Sequence, residues 1–449
     1  MNRCEEFYAR RDRRTNEYLG NTSFTPQAVH VSIGPDAAST LAGQVAAASL
    51  VNLLARVHRR ITFDLASGDM PLLIGKRESA ETLAEHLLTT MRGIDPCGSF
   101  SQAGSLPGGI LSIGLGEQCT AACTWFIGAR NSIAFLAKHP QNFAICDGTA
   151  RGAALASCLG SAALFRSQLG LETVPRILSA WNYEEGEQAE EGPESLETLN
   201  VGRVLMVGAG AVGSCLAYWL QLFGCAGDWV VVDKDEVEMH NLNRSLLFTP
   251  VDAGWPDETP QNKCDVIARA LSNATPVHEW YDEFAARDYT GFDVVLCLAN
   301  ERGIRHTLSC RNYSVLLHAT TGTNWLSQLH RHIPGIDDCA FCRVGEVVPV
   351  KFGCSTGEVV SSAGERSDAA LPFLSASSGL MLATLLQRLQ AGTLASMNVN
   401  EWRWDFDSLY KFAGRAKHAC SEACSRTSAA SIRRQLHLRG RWKHLENVG

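Results

Sequence analysis

The stretch RVLMVGAGAVGSCLAYWLQLFGCAGDWVVVD, Arg203 to Asp233, decides how the rest of the chain is read. Arg203 to Val207 is a short apolar run, a glycine-rich turn follows, Ser214 to Phe223 is amphipathic, and WVVVD closes on an acidic residue. That succession predicts strand, turn, helix, strand: a βαβ unit. Gly208, Gly210 and Gly213 form G-x-G-x-x-G in the turn, where backbone N–H groups and a helix N-terminus can approach a phosphate chain without obstruction by Cβ. Asp233 ends the next strand, where a carboxylate commonly accepts hydrogen bonds from a ribose hydroxyl. Together these residues indicate a nucleotide, and they do not separate NAD from ATP.

Downstream, DVVLCL (Asp293 to Leu298) and SVLLHAT (Ser314 to Thr320) alternate with helix-like segments, which predicts a largely parallel, doubly wound α/β sheet. Upstream, the acidic run EEGEQAEEGPESLE (Glu184 to Glu197) has no apolar periodicity and reads as a linker. Before it, Val29 to Leu65 repeats the strand, small-residue turn, helix, strand pattern in weakened form, with Gly34, Pro35 and Asp36 in the turn. An aspartate there puts negative charge where phosphates would sit, so the first copy reads as a structural partner. At 449 residues two domains are expected. The boundaries read as 1–182, a linker over 183–200, 201–430, and a basic tail over 431–449 whose Arg433, Arg434, Arg439, Arg441 and Lys443 suggest a solvated end.

Hydrophobic residues make up 45% and charged ones 19%, an ordinary globular composition. The net charge of -7 argues against wholesale nucleic-acid binding. No run of eighteen uncharged apolar residues occurs, and the N-terminus MNRCEEFYARRDRR is polar, so no membrane association and a cytoplasmic location are expected. In that setting the sixteen cysteines read as buried thiols, metal ligands or a nucleophile rather than as a disulfide framework.

The segment DKDEVEMHNLNRSLLF gathers Asp233, Asp235, Asn241, Asn243 and Arg244 just beyond the nucleotide signals. It resembles the D-x-D…N-L-x-R-Q signature of the E1/ThiF/MoeB adenylating family, and Lys263 in QNKCDVIARAL resembles that family's phosphate-binding lysine. The resemblance implies ATP, with Asp233 on the ribose, Arg244 and Lys263 on the phosphates, and Asn241 orienting the phosphate region. Two departures stand out. WPDETPQN lengthens the spacing from Arg244 to Lys263, and CLANERGIR puts Asn300 where the family carries a metal-binding aspartate, so Mg²⁺ should be held more weakly. RRDRRTNEYLG (Arg10 to Gly20) resembles the family's Y-D-R-Q…W-G segment, whose arginine reaches the partner domain's ATP phosphates. Alignment by the aspartate selects Arg13, and alignment by the glycine selects Arg14.

Cys339 and Cys342 (DDCAFC) with Cys420 and Cys424 (ACSEAC) form two close pairs that suit tetrahedral Zn²⁺. The second pair has an irregular spacing, His418 is near enough to compete as a ligand, and two pairs of buried thiols are the alternative. Cys354, in FGCSTGEVVSS, resembles the crossover-loop cysteine that accepts an activated C-terminus as a thioester. The resemblance as a whole implies two Rossmann-like doubly wound halves, the first degenerate and the second an E1/ThiF-type adenylation domain with a zinc site. Its partners would be a ubiquitin-like protein and an E2-like conjugating protein, with a homodimer left open. The size and layout are similar to the E1-like proteins of bacterial Bil-type antiphage operons. Activation of a sulfur-carrier protein, in the manner of ThiF or MoeB, and a nucleotide-binding scaffold are the alternatives.

Overall fold

The computed structural model describes residues 2–18, 26–75, 81–103, 110–119, 123–143, 150–194, 198–287, 291–299, 302–309, 313–322, 325–333, 336–339, 342–343, 359–360, 366–367, 371–393, 399–406, 415–416, 420, 441–442 and 445.

Both halves are α/β. After α1 (Arg3–Arg11) and α2 (Arg13–Tyr18), the first half comprises β1 (Val29–Ile33), α3 (Pro35–Ser39), α4 (Leu41–Ala55), β2 (Arg60–Leu65), α5 (Leu83–Ile94), β3 (Ser99–Gln102), β4 (Leu111–Leu115), β5 (Trp125–Arg130), β6 (Ile133–Ala137), α6 (Arg151–Gln168) and β7 (Arg176–Ser179). The second comprises β8 (Leu199–Val207), α7 (Ala211–Phe223), β9 (Cys225–Val232), α8 (Lys263–Ala270), β10 (Ala274–Val277), α9 (Tyr281–Ala285), β11 (Val294–Cys297), α10 (Arg302–Ser309), β12 (Leu316–Gly322), β13 (Leu326–His332), the pair β14 (Val359–Val360) and β15 (Arg366–Ser367), α11 (Pro372–Gln390), β16 (Val399–Asp405) and β17 (Arg415–Ala416).

The first sheet has the order β3-β2-β1-β4-β5-β6-β7 and the second β10-β9-β8-β11-β12-β13-β16-β17. In each, five parallel strands are followed by antiparallel ones. The shared strand order, five parallel strands and then antiparallel ones, supports the repeat seen faintly in the sequence. The antiparallel end makes the second sheet mixed rather than simply parallel.

Apolar residues on nearly every side of α4, α6 and α11 give them little amphipathic character, and such helices must be buried all round, whereas α7 is amphipathic and turns one face inward. They share one core with residues of both sheets. Gly379 lets α11 lie close on α7, since a Cβ there would lie 2.7 Å from the Leu216 backbone nitrogen. No helix among the described residues is long and apolar enough to cross a membrane.

Two expectations change. Cys4 on α1 is disulfide-bonded to Cys97, ahead of β3. The tail, read as solvated, is packed where it is described: Trp442 and Leu445 are buried, and Trp442 Nε1 donates to the Asp293 carbonyl at 2.9 Å. Its apolar residues outweigh the neighbouring arginines, and Arg441 itself donates to Asn200 O at 2.9 Å.

Candidate nucleotide site

In the second sheet Val207, Val232 and Cys297 are level at the carboxyl ends of β8, β9 and β11, where the strand order reverses. Crevices of this kind bind ligands in open α/β sheets. Gly208 has φ +98°, and a Cβ there would lie 2.7 Å from Ala299 Cα, so only glycine lets the turn pass the end of β11. A Cβ on Gly213 would lie 2.8 Å from Gly208 O, whereas one on Gly210, the N-cap of α7, would meet open space. Asp233 holds the turn: Oδ2 accepts from Ala209 N at 2.6 Å and Oδ1 from Asp235 N at 2.9 Å. Burial raises the Asp233 pKa, and Lys263 opposes that shift.

Asn241 Oδ1 accepts from Glu238 N at 3.0 Å, which caps a 3₁₀ turn over Met239–Asn241 and turns the chain into the segment carrying Arg244. Lys263, at the start of α8, is buried, and its Nζ donates to Asp235 Oδ2 at 3.1 Å while its N donates to Asp235 O at 2.9 Å. Trp255 in the insertion packs edge-on against Phe7 of α1, and Gln261 N returns to Asp252 O at 2.8 Å.

The first half completes the arrangement. Asn2 and Glu5 form a capping box that starts α1, and Arg11 anchors its end on Asp12 at 2.6 Å and Asp95 at 2.8 Å. The chain then enters α2, where Arg13 Nη2 lies 3.2 Å from His240 Nδ1 and Thr15 Oγ1 accepts from Asn243 Nδ2 at 3.1 Å. Arg14 is buried beside them. Burial, and then Arg14, Arg244, Arg13 and Lys263 in turn, push the His240 pKa down to about 2, so the ring is neutral. Four cations drawn from both halves thus act on one uncharged imidazole, whose Nδ1 also lies 3.2 Å from Glu238 Oε2, and such a cluster can hold a polyanion. His240 and Thr15 carry no sequence signal of their own. Asn300 lies outside the described residues.

The ThiF family model matches residues 186–420, just over half of the chain. The chain belongs to the ThiF family. Uncharacterized protein y4jF of Sinorhizobium fredii is 29% identical over 54% of this chain and 46% of its own. The Nedd8-activating enzyme E1 catalytic subunit of Drosophila melanogaster is 30% identical over 32% and 31%. The SAMP-activating enzyme E1 of Haloferax volcanii is 27% identical over 42% and 77%. The chain therefore spans less than half the length of the first two relatives.

The first half of this ThiF-family chain has the same crevice, closed by its own side chain. Asp36 Oδ1 accepts from Glu117 N at 3.1 Å and Oδ2 from Phe143 N at 3.0 Å, so a hydrogen-bonded carboxylate sits in the turn after β1.

Cys339, Cys342 and Cys420 come together with their sulfurs within 4.8 Å of one another, while Cys354, Cys424 and His418 lie outside the described residues. Three buried histidines, His318, His330 and His332, also cluster on the β12–β13 face opposite α11. Their rings are within 18° of parallel. Imidazole lone pairs lie in the ring plane, so this stack does not aim them at one point, and Arg305 Nε donates to His318 Nε2 at 3.0 Å. It reads as packing rather than as a metal centre.

Proposed function

We propose that this ThiF-family chain adenylates the C-terminal carboxylate of a ubiquitin-like protein with ATP. The observation that carries the reading is the convergence of Arg13, Arg14, Arg244 and Lys263 around His240, at the end of a glycine turn whose central glycine faces open space. A triphosphate needs that charge, and a dinucleotide with only a pyrophosphate needs less. Gly208, Gly210 and Gly213 would leave room for the phosphates, Asp233 and Asp235 would shape the turn and meet the ribose, and Asn241 would set the path of Arg244. The units would be 1–182 as the degenerate partner, 183–200 between them, 201–430 as the adenylating domain and 431–449 as the tail.

In the reaction, a carboxylate oxygen attacks the α-phosphorus, the bond to the β-phosphate breaks, and pyrophosphate leaves with its charge held by Arg244, Lys263 and the arginines of α2. Mg²⁺ would add further neutralisation; its expected ligand, Asn300, lies outside the described residues and no other is assigned. The Cys354 thiolate would then attack the acyl carbon and release AMP, leaving a thioester for an E2-like protein. The sulfurs of Cys339, Cys342 and Cys420 suit zinc, which would supply structural cross-linking away from the nucleotide. A cytoplasmic location fits the use of ATP, and an antiphage role of Bil type rests on size and layout alone.

ATP–pyrophosphate exchange in the presence of a ubiquitin-like protein tests the proposal. Exchange that depends on Lys263 and Arg244 supports it. Intact ATP binding without exchange would leave a nucleotide-binding scaffold instead.

A further inference from the structure

We infer that His240 Nε2–H is a neutral hydrogen-bond donor to the triphosphate, held in that tautomer by Arg13 from the other half of the chain. The inference rests on the ATP reading and adds to it a residue and a way for the first half to act. His240 stands on the 3₁₀ turn between the two signature segments and is 4% exposed. Arg13 Nη2 is 3.2 Å from its Nδ1. A guanidinium nitrogen can only donate, so Nδ1 presents a lone pair and a neutral ring carries its proton on Nε2. Glu238 Oε2 is also 3.2 Å from Nδ1, but its side chain is 59% exposed and already accepts from the Asn241 backbone. Arg13 makes the contact with hydrogen-bond geometry.

Nε2 is buried and has no hydrogen-bond partner among the described residues. A buried N–H without an acceptor is costly, and an orphan of this kind calls for an explanation. The charged groups that act most strongly on the ring, Arg14, Arg244, Arg13 and Lys263, are all donors and none can accept from it. The partner that fits is an acceptor with negative charge, brought in from outside: a phosphate oxygen of ATP. A neutral N–H suits this place because an imidazolium would be a fifth charge among four cations, and the ring's lowered pKa keeps it neutral. Arg13 is then a positioning residue as well as a charge.

The tautomer can be read on the wild-type full chain labelled with ¹⁵N-histidine, using His240→Gln to assign the signals. Long-range ¹H–¹⁵N spectra are expected to show a pyridine-type Nδ1 and a pyrrole-type Nε2 at neutral pH, and the Nε2–H proton shifts when ATP is added. A proton on Nδ1, or an imidazolium, overturns the inference. Calorimetry with inorganic tripolyphosphate gives the energetic reading. His240→Phe is expected to bind about 10- to 100-fold more weakly, as for loss of a donor to a charged group, and His240→Gln, which keeps an N–H near the Nε2 position, recovers most of it. A His240→Phe protein that binds tripolyphosphate like the wild type overturns the inference and leaves the ATP reading standing. A wild type that binds neither tripolyphosphate nor ATP overturns both.

Discussion

Arg56, at the C-terminal end of α4 in the first half, donates from Nη2 to the carbonyl oxygen of Leu246 in the second half at 2.6 Å. The same guanidinium reaches Leu242 O at 2.6 Å and Phe248 O at 3.1 Å, and its Nε is held by Asn52 Oδ1 at 2.9 Å. These carbonyls flank Arg244 and lie outside helices and strands, so backbone ladders do not satisfy them. One buried cation of the first half therefore fixes the path of the loop that carries Arg244 in the other. Burial lowers the Arg56 pKa to about 10, which leaves it charged at neutral pH.

Arg56→Met should be severe, because it keeps the bulk while removing the donor to Leu242 O and Phe248 O and leaving Leu246 O with Asn52 Nδ2 alone at 3.3 Å. A loss of about 3–5 kcal/mol is expected in urea unfolding, with weaker ATP binding in the folded fraction. Arg56→Lys should recover little, since an ammonium cannot reproduce the fork. Wild-type stability in Arg56→Met would remove this contact from the account.

Stability should fall in mild acid. His58 is pushed down to about 4 by burial and His240 to about 2, and burial also lowers His318, His330 and His332. Because these folded pKa values lie below the unfolded value of 6.5, the unfolded chain takes up protons first. Their contribution is intact above about pH 6.5 and is lost progressively as the pH drops toward the folded values. By about pH 5 the buried His58 ring alone costs roughly 2 kcal/mol. Urea midpoints measured between pH 7 and 5 check this, with His58→Gln flattening the slope; a pH-independent midpoint contradicts it.

How much of this was legible in the sequence depends on how local each signal is. The β8–α7–β9 unit and its glycines could be read directly, because each glycine answers a constraint within one turn: Gly208 passes β11, and Gly210 faces open space. Asp36 was legible as a negative charge in the first half's turn, but the amides its carboxylate accepts from, Glu117 N and Phe143 N, lie 81 and 107 residues away. Arg56 and His240 were not, since their roles come from pairings 186 to 227 residues apart. The Cys4–Cys97 bond, across 93 residues, was hidden likewise.

The cysteine cluster should bind metal. Elemental analysis of purified chain is expected to find about one zinc per chain. Cys342→Ser should lose it and lower the melting temperature, and a strong chelator should do the same to the wild type. Full stability without zinc would leave Cys339, Cys342 and Cys420 as packed thiols.

The central claim is that a single triphosphate is gripped by cations from both halves of one chain. Calorimetric titration of the full chain with Mg²⁺-ATP tests it most directly. One ATP per chain is predicted, with affinity weakened about tenfold or more by Lys263→Ala and, separately, by an Arg13→Ala, Arg14→Ala double variant. Two ATP per chain, or a double variant that binds ATP as tightly as the wild type, would contradict it.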